Sequence, residues 1–305
     1  MLGKLKNNKI LTAVAALLCC ALWGISTPVV KLGYQYTDPT HVPSLLLWAG
    51  IQFAVAGLLV IGIYSLSAKR LMRPTQKSIK GILLVALFQT VLHYAISYIG
   101  LSGTTSVKGA ILKSTDVFFV ALIASVIFKL EKLTAKKLIA CAISFSGIVL
   151  MNLDGSKLDI TLGDGLVVVS ILCYSLGAVL SKVFAKDTDP IVLSGYQMTF
   201  GGTVMLAAGA LFGGKLDLVG MLPVILGLSS IYAFTYALWT YLLKYNSASE
   251  VSIYSFMTPV FGVIFSGVLL SENSGVAPLK LALALGLVCF GILLWGYERK
   301  VKNSQ

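Results

Sequence analysis

Residues 22–39 read LWGISTPVVKLGYQYTDP, and residues 173–190 read CYSLGAVLSKVFAKDTDP. An aromatic residue stands eight positions before a lysine in each stretch: Trp23 before Lys31, and Tyr174 before Lys182. Thr-Asp-Pro follows at the same offset, as Thr37-Asp38-Pro39 and Thr188-Asp189-Pro190. The echo continues outward on both sides. Gln52 corresponds to Gln197, Tyr98 with Ser106 to Tyr241 with Ser249, and Glu131 to Glu272. Self-similarity at this scale marks a duplicated unit. The reading predicts two related halves, residues 1–153 and 154–305.

Each half is built from apolar runs. They fall at about 10–32, 44–66, 80–101, 108–128 and 137–153 in the first half, and 163–184, 190–212, 221–243, 251–270 and 279–297 in the second. Each run approaches the roughly 20 residues that an α-helix needs to cross a bilayer. The expected fold is therefore all-α: a polytopic membrane protein of ten transmembrane helices, spans 1–10. Five spans per half is an odd number, so the second half enters the membrane from the opposite side. The expectation is two inverted five-helix repeats, an arrangement found in transporters, where the substrate site lies between the repeats.

Composition excludes the other classes. Of 305 residues, 57% are hydrophobic and 12% are charged, with a mean hydropathy of +0.89. A soluble domain carries about twice that share of charge. The formal net charge of +12 would suggest nucleic acid in a soluble chain,. Here the charges sit between apolar runs. Lys4, Lys6, Lys9, Lys69, Arg70, Arg73, Lys77, Lys80, Lys129, Lys132, Lys136, Lys137, Lys186, Lys244, Arg299, Lys300 and Lys302 fall on one face. Only Lys157, Lys215 and Lys280 fall on the other. The positive-inside rule then places both termini in the cytoplasm and the protein in the cell membrane. The first run is too long for a signal-peptide core and reads as a retained helix. The five cysteines lie within spans, form no C-x-x-C pair, and read as packing residues,.

The chain resembles the drug/metabolite transporter superfamily, in particular its EamA-type ten-helix members. The resemblance rests on Leu22-Trp23-Gly24 with Lys31, Thr105-Ser106 before span 4, and the run Lys129–Thr134 followed by Ser146–Leu150. It rests also on Gly195-Tyr196-Gln197, and on Ser255–Phe261 leading to Glu272. It implies a metabolite carrier with a central cavity lined by spans 1, 3, 4, 6, 8 and 9, and with spans 5 and 10 as peripheral supports. One departure stands out. Members of the family usually carry a proline in span 4 equivalent to Pro259 in span 9. Asp116 or Phe118 occupies that place here, depending on the register. The reading predicts that span 4 bends less than span 9.

Ionisable groups inside spans are costly, about 2.5–3.5 kcal/mol each at the centre on insertion scales, and so face a cavity or a partner. Lys113 and Asp116 are three residues apart on span 4, near Lys108. They read either as a binding site, with Lys113 for a carboxylate or phosphate and Asp116 for an ammonium or a coupled proton, or as a mutually neutralised pair. His93 lies mid-span 3 with Tyr94 and Ser97, as a substrate or proton contact or as a histidine bonded to a neighbouring helix. Tyr232, Tyr236 and Trp239 share one face of span 8, with Tyr254 on span 9 and Trp23 on span 1,. They read as an aromatic wall or as helix packing. Gln52 and Gln197 read as interhelical bridges, and Lys31 and Lys182 as side chains that snorkel to the interface. Glu250 reads as a partner for Lys244 or as a gate. Gly209 and Gly213 suggest close helix contact.

These residues predict a secondary transporter for a small polar, zwitterionic or aromatic metabolite such as an amino acid or amine, and the resemblance implies an exporter or exchanger. Proton coupling would run through Asp116 or His93. A lipid-linked or nucleotide-type metabolite flippase or channel is the alternative. An intramembrane enzyme is disfavoured, because the chain has two histidines, no H-E-x-x-H and no G-x-S-x-G,. No cofactor or metal is expected. The partners expected are a small-molecule substrate and the lipid bilayer, without nucleic acid, and a homodimer is left open.

Overall fold

The described residues form ten helical spans and contain no strand. The structure, a computed structural model, describes residues 8–103, 106–152, 161–270 and 277–302. Thr105, Lys157 and Glu272 lie outside the described residues, as do the side chains of Ser106 and Lys108. Nine helices among the described residues are long and apolar enough to cross a membrane. Span 5, Ala135–Asn152, has 18 residues. At 1.5 Å per residue it is about 27 Å long, close to the hydrocarbon thickness.

Spans 1 and 2 are Lys9–Gly33 and Val42–Ser67. Span 3 runs as Gln76–Val85, a π-helical turn at Ala86–Leu92, and His93–Ser102. Span 4 runs as Ser106–Lys113, Asp116–Leu122 and a π-helical turn at Ile123–Ile127. Spans 6, 7 and 8 are Leu162–Phe184, Pro190–Leu211 and Leu218–Tyr245. Span 9 runs as Ala248–Ser252, a 3₁₀ turn at Ile253–Phe256, and Met257–Leu270. Span 10 is Pro278–Lys302 and extends past its apolar run.

Local chemistry fixes the starts. The Asn8 side chain accepts from the amides of Ile10 and Leu11 at the head of span 1. Thr161 and Asp164 form a reciprocal capping box on span 6,. The two Thr-Asp-Pro copies do different work. Asp189 caps span 7 through the amides of Ile191 and Val192, with Pro190 in the first turn,. Asp38 instead closes a loop turn, accepting from the amide and hydroxyl of Thr40. Those bonds hold its carboxyl below the usual value of 3.8,.

Span 2 packs along span 7, and span 5 along span 10. Span 1 packs on spans 8 and 9, and span 6 packs on spans 3 and 4. Exchanging the two halves of the chain maps these pairings onto one another. Glycines allow the close crossings. A Cβ on Gly24 of span 1 would stand 2.5 Å from Phe261 Cβ and 2.9 Å from the Gly262 nitrogen of span 9. Gly209 makes a comparable approach to Leu47 of span 2, whereas Gly213 ends span 7 in the left-handed region at φ +80° with open space around it,. Of the expected G-x-x-x-G pair, only the first glycine is a helix contact.

The interhelical bridges are polar. Thr90 on the π-helical turn of span 3 donates to Oε1 of Gln197 on span 7 at 2.8 Å, as expected for Gln197. Ser181 of span 6 donates to Oε1 of Gln89, on the same π-helical turn, at 3.2 Å. Gln52 is buried, and its backbone carbonyl accepts from Ser229 at 2.9 Å.

Candidate central crevice

Span 4 is interrupted between Lys113 and Asp116. Lys113 is the last residue of one helical segment and Asp116 the first of the next. At the break, Ser114 Oγ donates to the Ala110 carbonyl at 3.0 Å and Thr115 Oγ1 to the Leu112 carbonyl at 2.6 Å. Such bonds back to the preceding turn bend helices without proline. Span 9 is irregular at the matching place, where the 3₁₀ turn Ile253–Phe256 precedes Pro259. Span 4 is thus interrupted even without a proline, and hydroxyl side chains sit at its interruption.

The break separates the charges. Among the described residues, Lys113 and Asp116 form no ion pair with each other or with any other group. The Lys113 side chain is exposed, and it lies within electrostatic reach of His93. It borders the crevice between spans 3, 4 and 6. Asp116 is half-buried. Ser255 of span 9, whose hydroxyl donates to the Ser252 carbonyl at 2.7 Å, lies near it, as do Cys20 and Tyr174. The Asp116 carbonyl accepts from Ser175 of span 6 at 3.4 Å.

Aromatic rings adjoin these charges. Trp23 lies 4.8 Å from Trp239 and 6.1 Å from Tyr236, centroid to centroid. Tyr94 and Tyr236 hydroxyls meet at 3.3 Å. Phe53 of span 2 contacts Tyr94, Tyr232 and Tyr236 at 4.7, 5.2 and 5.9 Å. His93 lies between Tyr94 and Tyr174, at 4.7 and 5.1 Å. Its Nδ1 donates to the Ser170 carbonyl of span 6 at 3.0 Å, since a carbonyl can only accept,. That bond fixes the proton on Nδ1 and leaves Nε2 as the atom that can accept or take up a further proton.

The structure thus brings together Trp23, His93, Tyr94, Tyr232, Tyr236 and Trp239, beside Lys113 and Asp116. Ser97 is buried and Tyr254 half-buried. The Tyr254 backbone carbonyl accepts from Cys20 Sγ at 3.2 Å. Tyr232, Tyr236 and Trp239 are each under a tenth exposed. Their faces are spent largely on Phe53 and Trp23, so the open ring surface belongs to Trp23, His93, Tyr94 and Tyr174. Phe53 and Tyr174 were not singled out as site residues from sequence. Tyr174 could have been, because it is the repeat partner of Trp23.

The two ends of this crevice differ. Call the face that carries most of the basic loops the basic face. There the buried Glu131 carboxylate, after span 4, accepts from the Ser249 amide at 3.1 Å and from the Ser249 hydroxyl at the start of span 9. Lys137 also pairs with it at 3.2 Å. Lys182 of span 6 does not snorkel outward. It donates to the Leu243 carbonyl at 2.9 Å and to the Asn246 carbonyl, closing the end of span 8,. Lys244 reaches the Thr188 carbonyl at 3.3 Å, and the rings of Phe118 and Phe256 lie 6.3 Å apart. Toward the opposite face, Ser106–Lys113 packs on spans 5 and 6 and makes no comparable contact with spans 1 or 9 among the described residues. Recesses of about 640 Å³ beside Leu130 and Glu131 and about 600 Å³ beside Tyr36 and Asp217 lie at the two membrane faces, away from this centre.

A model of the EamA-like transporter family matches residues 10–153 and 161–297, nearly the whole chain in two copies. The chain belongs to the EamA-like transporter family. It is 28% identical over 282 residues to an uncharacterized transporter of Archaeoglobus fulgidus, covering 91% of this chain and 95% of that one. It is 28% identical over 286 residues to the uncharacterized transporter YvbV of Bacillus subtilis, covering 91% and 88%. A protein crystal structure superposes with a TM-score of 0.73 at 15% identity, covering 93% of this chain and 97% of that one, which shows a shared fold. As an EamA-like protein the chain is a multi-pass membrane transporter, and the crevice is where its two family-matched units meet.

Proposed function

We propose that this EamA-like protein is a secondary carrier that works by alternating access, with the central crevice as its substrate site. Its cargo is a small polar, zwitterionic or aromatic metabolite, such as an amino acid or amine, and its direction is export or exchange. The observation that carries the reading is the unequal closure of the crevice. Glu131, Lys182 and Lys244 tie spans together at the basic face, while the segment that ends at Lys113 makes no comparable contact with spans 1 or 9 among the described residues.

The halves, residues 1–153 and 154–305, act as inverted repeats. Support comes from the pairings that interchange when the halves are exchanged, and from the two family matches,. The basic face is cytoplasmic by the positive-inside rule, so both termini are cytoplasmic and the structure corresponds to an outward-facing state of a carrier in the cell membrane. His93 and Asp116 are the groups through which protons couple to transport. The residues gathered in the crevice, two charges among aromatic rings, are those of a binding site.

The test is flux into proteoliposomes across a metabolite panel. The reading expects saturable uptake of at least one compound, competed by its analogues and accelerated by the same compound on the far side. Uptake that never saturates, or no uptake at all, contradicts it.

A further inference from the structure

Two opposite charges stand in the crevice with no ionic partner among the described residues. Lys113 ends the first segment of span 4 with its side chain exposed near His93. Asp116 begins the next segment and faces Ser255 and Tyr174. Had they paired, the site would be neutral and would ask nothing of a ligand. The Ser114–Thr115 interruption keeps them on separate segments with different neighbours. A charge held within a membrane is stabilised when a counter-charge arrives, and is penalised when a like charge does.

We propose that the cargo is a zwitterion that presents its carboxylate to Lys113 and its ammonium to Asp116. A zwitterion compensates both side chains and adds no net charge to the membrane interior. A simple amine would leave Lys113 uncompensated and repel it, and a simple carboxylate would do the same at Asp116. The half-exposed rings of Trp23, Tyr94 and Tyr174 flank the charges and receive the remaining apolar part of the molecule. Their faces also favour the ammonium. The assignment rests on the crevice being the substrate site, as proposed above.

The test measures thermal stabilisation of the purified full chain by matched compounds. Phenylalanine and leucine are the zwitterions. Phenethylamine and isoamylamine lack the carboxylate, while 3-phenylpropionate and 4-methylvalerate lack the ammonium. At least one zwitterion should bind about tenfold or more tighter than both of its single-charge analogues. Lys113→Gln should abolish the discrimination against the amine and keep that against the acid, and Asp116→Asn should do the reverse. Lys113→Arg should restore discrimination against the amine, which a folding defect would not. An analogue that binds as tightly as its zwitterion overturns the assignment. So does discrimination unchanged in both variants, or stabilisation by no zwitterion at all. Saturable flux of a compound that is not a zwitterion also overturns it while leaving the carrier reading standing. Absence of flux for every compound tells against the carrier reading itself.

Discussion

The carboxylate of Glu131 accepts from both the amide and the hydroxyl of Ser249, a residue 118 positions away, and so pins the end of span 4 to the start of span 9. A buried carboxylate bonded this way contributes about 1.5–3 kcal/mol per bond to the arrangement that makes it. Glu131→Gln keeps the shape and removes the charge. It should speed amide hydrogen exchange at residues 248–252 by about tenfold or more, because opening there becomes about 1.4 kcal/mol easier. Unchanged exchange would mean the contact does not hold the basic face closed.

Gly24 sits where spans 1 and 9 cross, with Phe261 and Gly262 backbone in the way of any larger residue. Gly24→Leu should force the spans apart and lower the midpoint of thermal unfolding by several degrees, or abolish folded protein. Overpacking of this kind costs about 1–3 kcal/mol or more. Gly227, which has open space around it, serves as the comparison. Gly227→Leu should leave the midpoint near that of the unchanged protein.

The hydroxyls of Tyr94 and Tyr236 meet at 3.3 Å across spans 3 and 8. Removing either one leaves the other without this partner in a largely apolar surrounding, at a cost of about 1–3 kcal/mol. Tyr94→Phe and Tyr236→Phe should each destabilise, and the double variant should cost no more than the worse single one. Additive losses in a double-mutant cycle would show that the two hydroxyls are not coupled.

Lys182 closes the end of span 8 through the Leu243 and Asn246 carbonyls. Lys182→Met removes both bonds and a cation at a helix C-terminus, and should cost about 1–2 kcal/mol in thermal unfolding. A variant as stable as the parent would show that these carbonyls are satisfied in another way.

Much of this architecture is legible in the chain. Apolar runs report immersion in lipid, so ten spans and most of their ends follow from hydropathy alone. Lys113 and Asp116 are conspicuous because charge is rare within the spans. Which way a side chain points is harder to read. A span that is apolar all round carries little 3.6-residue signal, so Phe53 looked like any other apolar residue of span 2. The break at Ser114–Thr115 was hidden because no proline marks it, and common hydroxyl residues make it. Glu131 served only as a repeat marker in the sequence, since its partner Ser249 becomes visible only when spans 4 and 9 are brought together. The two Thr-Asp-Pro copies look alike in sequence, yet only Asp189 caps a helix.

The central claim is that one chamber is reached from one membrane face at a time. Thr115→Cys places a thiol in the break, half-buried beside the charges, against the unsubstituted protein as the background for its five native cysteines. A membrane-impermeant maleimide is applied to each face of oriented vesicles in turn. The account predicts modification only from the face opposite the basic loops. When Glu131→Gln is added, it predicts modification from both faces. Modification from the basic face without that second substitution, or from neither face in either protein, would contradict it.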